Sequence, residues 1–132
     1  MEPHFIELSE SLGKGGMLSF IEEGELLPFR VRRIYWTYGI DHEVHRGNHC
    51  HLESHRVIVC VHGSMSVEIK SIDNEVYNFE LSKPNQAVYF PPRHWIDMKC
   101  ESGTVMVVLA SHLYEEDHLI TDYDDFLALG QL

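Results

Sequence analysis

His55-Arg56-Val57-Ile58-Val59-Cys60-Val61-His62, then Gly63-Ser64, then Met65-Ser66-Val67-Glu68-Ile69-Lys70 is the stretch that decides the fold class. Its first part is nearly continuous in apolar residues, the pattern of a strand buried on both faces. Gly63-Ser64 supplies turn residues, and from Met65 apolar and polar side chains alternate with a period of two. Asp73-Asn74 marks the next turn, residues 76–81 the next strand, and Pro84-Asn85 closes it. Working outward, residues 87–90, 95–98 and 104–110 read as strands downstream, and residues 5–8, 17–22 and 32–38 upstream, with a turn at Gly13-Lys14-Gly15-Gly16. Together with the segment around His49 this makes about ten short strands at roughly 8–12-residue spacing, which predicts an all-β sandwich or barrel. Only the end is helical in period. Leu119, Tyr123, Phe126 and Leu127 recur on one face, so residues 115–129 are expected as a helix packed on the barrel.

The 132 residues fit one domain with a real core, spanning 1–132. No apolar run approaches the ~20 residues of a membrane span, and the acidic start lacks a signal-peptide pattern, so a cytoplasmic protein is expected. Lys and Arg number 10 against 21 Asp and Glu, a formal net charge of −11. That argues against nucleic acid as a partner, which needs a basic surface. The arginines nevertheless cluster, at Arg30, Arg32, Arg33, Arg46 and Arg56. They read either as a site for an anionic ligand or as solvated strand ends. Three cysteines without a CxxC spacing support neither a disulfide framework nor a zinc ribbon. Cys60 reads as core, and Cys50 should face away from the histidines beside it.

Ten residues are histidine, five of them between His42 and His55. On a strand His49 and His51 share a face. Imidazoles so placed suit metal ligation, acid–base chemistry near a pKa of ~6.5, or an ordinary polar strand face. Gly47-Asn48-His49-Cys50-His51, then Val61-His62-Gly63-Ser64-Met65, then a strand ending in Pro91-Pro92, resembles the cupin barrels. Metal-binding cupins usually follow the His-x-His with a glutamate after three or four intervening residues, where this chain has His55 and Arg56. A His-only site at His49, His51 and His94 is chemically open to zinc, iron or copper.

A more specific resemblance runs nearly end to end. Ile21-Glu22-Glu23, Leu27-Pro28-Phe29, Arg33-Ile34-Tyr35-Trp36, Arg46-Gly47-Asn48-His49-Cys50-His51, Val59-Cys60-Val61-His62-Gly63-Ser64, Val107-Val108-Leu109-Ala110-Ser111 and Tyr114-Glu115-Glu116-Asp117 stand in register. This pattern is similar to the sugar-nucleotide 3,4-ketoisomerases, the WxcM-like cupins that act on dTDP-4-keto-6-deoxyglucose. There are departures: Gly13-Lys14-Gly15-Gly16 where the family often has Asp-x-Arg-Gly, and Trp95-Ile96-Asp97-Met98 where it often has Trp-His-Glu-Met.

The resemblance implies a cupin-type jelly roll with a short C-terminal helical segment, residues 113–129. It implies an isomerase of deoxy-amino-sugar biosynthesis, supplying glycans such as lipopolysaccharide O-antigen, with no metal and no cofactor. It also implies a homodimer that exchanges N-terminal strands from residues 1–28. The reaction it implies moves a ketone from C4 to C3 through an enediol, to the gluco or the galacto product. His49 is then the expected base, and His51 with Tyr35 serves the oxygens, although the two histidines can exchange roles. Arg33 and Arg46 are the candidate diphosphate ligands, because a guanidinium fork matches phosphate oxygens. Arg33 shares a strand face with Tyr35. Arg93 is a further candidate, and Trp95 or Trp36 is a candidate to stack on thymine. Two other classes stay open: a non-catalytic cupin that binds a sugar nucleotide, and a metal-dependent cupin enzyme such as an epimerase or dioxygenase.

Overall fold

The computed structural model describes residues 1–131. The expected strands form with shifted ends: β1 (His4–Glu7), β2 (Glu10–Gly13), β3 (Gly16–Ser19), β4 (Arg33–Thr37), β5 (Val44–His51) and β6 (Arg56–His62). They continue as β7 (Met65–Ser71), β8 (Val76–Leu81), β9 (Gln86–Phe90), β10 (His94–Cys100), β11 (Val105–Ala110) and β12 (Leu119–Ile120). Two five-stranded sheets result, in the orders β1-β9-β6-β11-β4 and β12-β5-β10-β7-β8, with β2-β3 as a separate hairpin. Pairing within them is antiparallel, as a cupin-type jelly roll requires.

The stretch that set the class behaves as read. Val57 to Cys60 are buried on both faces of β6, whereas β7 alternates, with Met65, Val67 and Ile69 inside. The inner faces of both sheets meet in one core that joins Ile58, Cys60, Val88, Phe90 and Met106 to Val67, Ile69, Ile96 and Cys100. A second, smaller core explains why β6 has no wet face. Ile6, Leu8 and Leu27 cover Val57, Val59, Tyr89 and Leu109 on the outside of the first sheet.

The expected C-terminal helix is shorter than its periodicity suggests. Tyr114–Glu116 is a 3₁₀ turn, Leu119–Ile120 is β12, and only Tyr123–Leu129 (α1) is helical. Two forces break it up. The backbone of β12 pairs with Cys50 and His51 of β5, and the Asp122 carboxylate accepts hydrogen bonds from Asp124 N–H and Asp125 N–H, starting a helix there. Phe126 then packs on Cys50 and Trp95 over the outside of the second sheet. Cys50 therefore faces away from the histidines, as alternation requires.

β1 pairs with β9 of its own chain. The β2-β3 hairpin, turned through Lys14 and Gly15 at positive φ, leaves Leu12, Met17 and Leu18 exposed.

Candidate active site

Gly47 and Asn48 make β5 irregular. Opposite β10, Ile96 pairs with His49 but Asp97 pairs with Gly47, so Asn48 is an extra residue in a β-bulge. Both bulge residues have positive φ, 97° at Gly47 and 57° at Asn48. A Cβ on Gly47 would lie 2.7 Å from the Ile96 carbonyl oxygen, so only glycine fits. The extra residue rephases the strand. His49 and His51 face inward by simple alternation, and the bulge brings Arg46 to the same side despite its odd spacing. All three line one cavity of about 90 Å³, with Tyr35, Thr37, Arg56, Phe90 and Ile96. That space is on the order of three water molecules.

Each histidine ring is tied at Nδ1. His49 Nδ1 is 3.0 Å from the Gly47 carbonyl oxygen, and His51 Nδ1 is 2.9 Å from Asp117 Oδ2. Both partners are acceptors, an arrangement that matches an Nδ1–H on each ring. The two Nε2 atoms then face each other as lone pairs, 3.0 Å apart. That arrangement has one place for one proton: empty in the neutral dyad and filled when the dyad is charged. The surroundings keep it empty. Burial first, then the Arg56 guanidinium and the neighbouring His49, hold the His51 imidazole far below its ordinary pKa. Burial likewise lowers His49, against the opposing pull of its bond to Gly47. Near neutral pH both rings are thereby held uncharged.

Arg56 and Asp117 complete the network, and sequence reasoning gave neither a role. Arg56 is 1% exposed. It donates to Tyr35 Oη at 2.7 Å and to Ser54 Oγ at 3.2 Å, and it pairs with Asp117 Oδ2. It is no solvated strand end. The signal that reveals it is alternation along β6, where Arg56, Ile58 and Cys60 share the inward face. Its guanidinium, 3.2 Å from His51 Nδ1, puts a positive charge beside the dyad. Among the described residues no group of three His, Cys, Asp or Glu side chains is placed to hold a metal ion.

The remaining candidates separate into two groups. Arg33 is not in the cavity lining; its guanidinium lies 4.4 Å from the centre of the Tyr35 ring and 5.0 Å from that of Tyr114. Trp95 is corrected: it points outward beneath α1, 5.1 Å from the Tyr123 ring and 5.7 Å from Phe126, and is 5% exposed. Trp36 is on the exposed outer face of β4. Arg93 and His94 line a different groove with Met1, Glu2 and Tyr77. Ile96, not His94, occupies the cavity wall facing His49. The apolar side chain there follows from its place in the central core.

Comparison with known proteins identifies the family. Residues 1–131 match the family model described as FdtA, WxcM-like, C-terminal. The TDP-4-oxo-6-deoxy-alpha-D-glucose-3,4-oxoisomerase of Aneurinibacillus thermoaerophilus is 35% identical over 127 residues, covering 96% of this chain and 91% of that protein. A variant 3,4-ketoisomerase of Thermoanaerobacterium thermosaccharolyticum, solved with TDP-4-keto-6-deoxyglucose, superposes with a TM-score of 0.88 at 30% identity, over 98% of this chain and 94% of that one. A 3,4-ketoisomerase from Helicobacter canadensis gives 0.89 at 27% identity, over 99% and 98%. The chain belongs to the FdtA, WxcM-like family, the ketoisomerase class that its motifs resemble.

Proposed function

We propose that this protein is a 3,4-ketoisomerase that converts dTDP-4-keto-6-deoxyglucose to the dTDP-3-keto-6-deoxyhexose. The observation that carries the reading is the pair of bare Nε2 atoms, 3.0 Å apart on the wall of a small cavity. The C3 proton of the substrate is α to the C4 carbonyl and is acidified by it. His49 Nε2 takes that proton while O4 gains one, giving the enediol. O3 then gives up its proton and C4 receives one, so the ketone stands at C3. His51 and the Tyr35 hydroxyl move the oxygen protons. The Tyr35 hydroxyl oxygen accepts from Arg56, so its O–H is not engaged by that contact. Each well-placed acid or base contributes about 10²–10⁴-fold. Arg46 and Arg33 are the proposed diphosphate ligands. No cofactor is needed, because no electrons leave the substrate.

The test is incubation with the 4-keto sugar nucleotide in D₂O with chelator, followed by NMR. A 3-keto product with deuterium at C4 is expected. Binding without turnover or exchange would make the protein a binding module, and activity appearing only on addition of metal would make it a metal-dependent cupin.

The finer parts of the reading are also proposals. A homodimer built on the N-terminal strands is supported by two apolar surfaces left uncovered in one chain: Leu12, Met17, Leu18 and Phe20 at the hairpin, and Ile34 and Trp36 on the edge strand β4. A mass of one chain in light scattering at micromolar concentration would refute it. A cytoplasmic setting suits three buried cysteines that are all unpaired, and supply of deoxy-amino sugars to a surface glycan such as O-antigen rests on the family resemblance alone. Fractionation of the native cells tests that setting.

A further inference from the structure

Asp117 reaches the dyad from far along the chain, 66 residues beyond His51. The route is a short piece of sheet. Leu119 and Ile120 of β12 pair with His51 and Cys50, and the Leu52 N–H donates to the His118 carbonyl at 3.0 Å. The segment is thereby stitched to β5, and the residue at the end of the 3₁₀ turn is set beside the His51 ring. The Asp117 side chain is 5% exposed. Its Oδ2 accepts from His51 Nδ1 and from Arg56 Nη2, and its Oδ1 is buried without a partner. A buried carboxylate with one oxygen unmatched is costly, and packing alone does not explain it.

We propose that Asp117 is a positioning residue of the isomerisation, fixing His51 as the Nδ1–H tautomer so that Nε2 presents a lone pair to His49 and the substrate. The proposal rests on the ketoisomerase reading for its kinetic part only. Two contacts make the tautomer a choice. Arg56 Nη2 stands 3.2 Å from His51 Nδ1. Without the carboxylate, that guanidinium would take Nδ1 as its acceptor and drive the ring proton to Nε2. The dyad would then point a proton, not a lone pair, at the place where substrate protons arrive. With the carboxylate present, Arg56 acts differently. It balances the negative charge, so Asp117 orients His51 without drawing a second proton onto it. The Gly47 carbonyl does the same for His49 from the bulge. An orienting partner behind a working histidine can be worth 10–100-fold in metal sites and about 10⁴-fold in the serine-hydrolase triad.

The decisive measurement is ¹⁵N NMR of histidine-labelled protein at pH 7.5, with His51 assigned by its loss in His51→Asn. A protonated Nδ1 and a bare Nε2 on His51 are expected in the wild type. In Asp117→Leu, which has similar volume and no acceptor, the proton should move to Nε2. kcat should fall about 10²–10⁴-fold. KM should stay within about threefold, because Asp117 is not in the cavity wall. Three results would overturn the proposal: wild-type His51 protonated at Nε2, kcat of the variant within threefold of wild type, or kcat lost with the tautomer unchanged. Should Asp117→Leu fail to fold, the wild-type tautomer still decides. If the wild type shows no turnover of the 4-keto sugar, the proposed function fails and the tautomer result stands by itself.

Discussion

The two ends of the barrel interior are made by the same strands on opposite chemical terms. Along β6 the inward residues run Arg56, Ile58, Cys60, and along β10 they run Ile96, Met98, Cys100. One end holds a guanidinium, a carboxylate, a phenol and two imidazoles in mutual contact. The other is sulfur and hydrocarbon, with Met65, Val67, Cys60 and Cys100 close to fully buried. Apolar burial at about 25 cal/mol per Å² stabilises without fixing direction. Buried polar groups do the reverse: they add little net stability but impose one orientation on every ring and proton. The apolar end holds the barrel together and so lets the polar end be specific. Damage to the first should appear as lost stability, and damage to the second as lost turnover.

The largest expected effect breaks the polar end alone. His49→Asn should lower kcat by about 10²–10⁴-fold. The melting temperature should move by only a few degrees, because a half-buried ring is exchanged for a smaller polar group. Turnover left intact would remove His49 from the mechanism. The matching break at the apolar end is Met65→Ala, at a buried site on β7 opposite Cys100. Urea titration should show a loss of about 2–5 kcal/mol, from lost transfer and an unfilled cavity. kcat per folded molecule should be unchanged. A proportionate loss of kcat would show that the two ends are not separable.

Gly47→Ala sits at the join between them. The added Cβ meets the Ile96 carbonyl at 2.7 Å, in a residue at φ 97°. Strain of about 1–3 kcal/mol is expected in the unfolding free energy. A loss of kcat should accompany it, because the same bulge places Arg46 and supplies the carbonyl that holds His49. A stability loss with no kinetic change would mean that the bulge shapes the sheet and not the site.

The same division explains what the sequence disclosed. The strands were legible because burial imposes the two patterns, continuous on β6 and alternating on β7. His49 and His51 were legible as a same-face pair, and Arg33 with Tyr35 likewise, because a period of two needs no partner. Arg46 was placed by its motif and not by its phase, since strict alternation opposes it to His49 and only the bulge restores it. Arg56 was open between an anion ligand and a solvated strand end, because its partners Tyr35 and Asp117 are supplied by β4 and by the segment after β11. Asp117 stood inside a recognisable motif but acquired its contact from the pairing of β12, which was masked by a helical period shared by Leu119, Tyr123 and Phe126. Trp95 was an aromatic near a site in sequence, and α1 covers it on the other face. Local pattern tells which residues face inward, but the choice of neighbours across the barrel is made by register.

Acid and base sharpen the contrast, since the two ends should weaken at opposite ends of the pH scale. The His51 pKa is lowered in the fold, by burial and then by Arg56, from an unfolded value of ~6.5. Between the folded and unfolded values the unfolded chain binds more protons, so stability rises with pH and is complete only above ~6.5. Below it, His51 should remove up to about 1.4 kcal/mol per pH unit. His49, His55 and His94 are lowered as well and add to this acid limb. The thiols of Cys60 and Cys100 are raised by burial. For them the folded chain holds more protons, so their contribution is complete at neutral pH and lost only in the alkaline range. Urea titrations of wild type and His51→Asn from pH 5 to 7 should differ in slope by about one proton, with the variant flatter. A variant steeper than wild type would mean that Asp117 outweighs burial and Arg56, holding His51 as an imidazolium. The dyad would then begin its cycle as an acid.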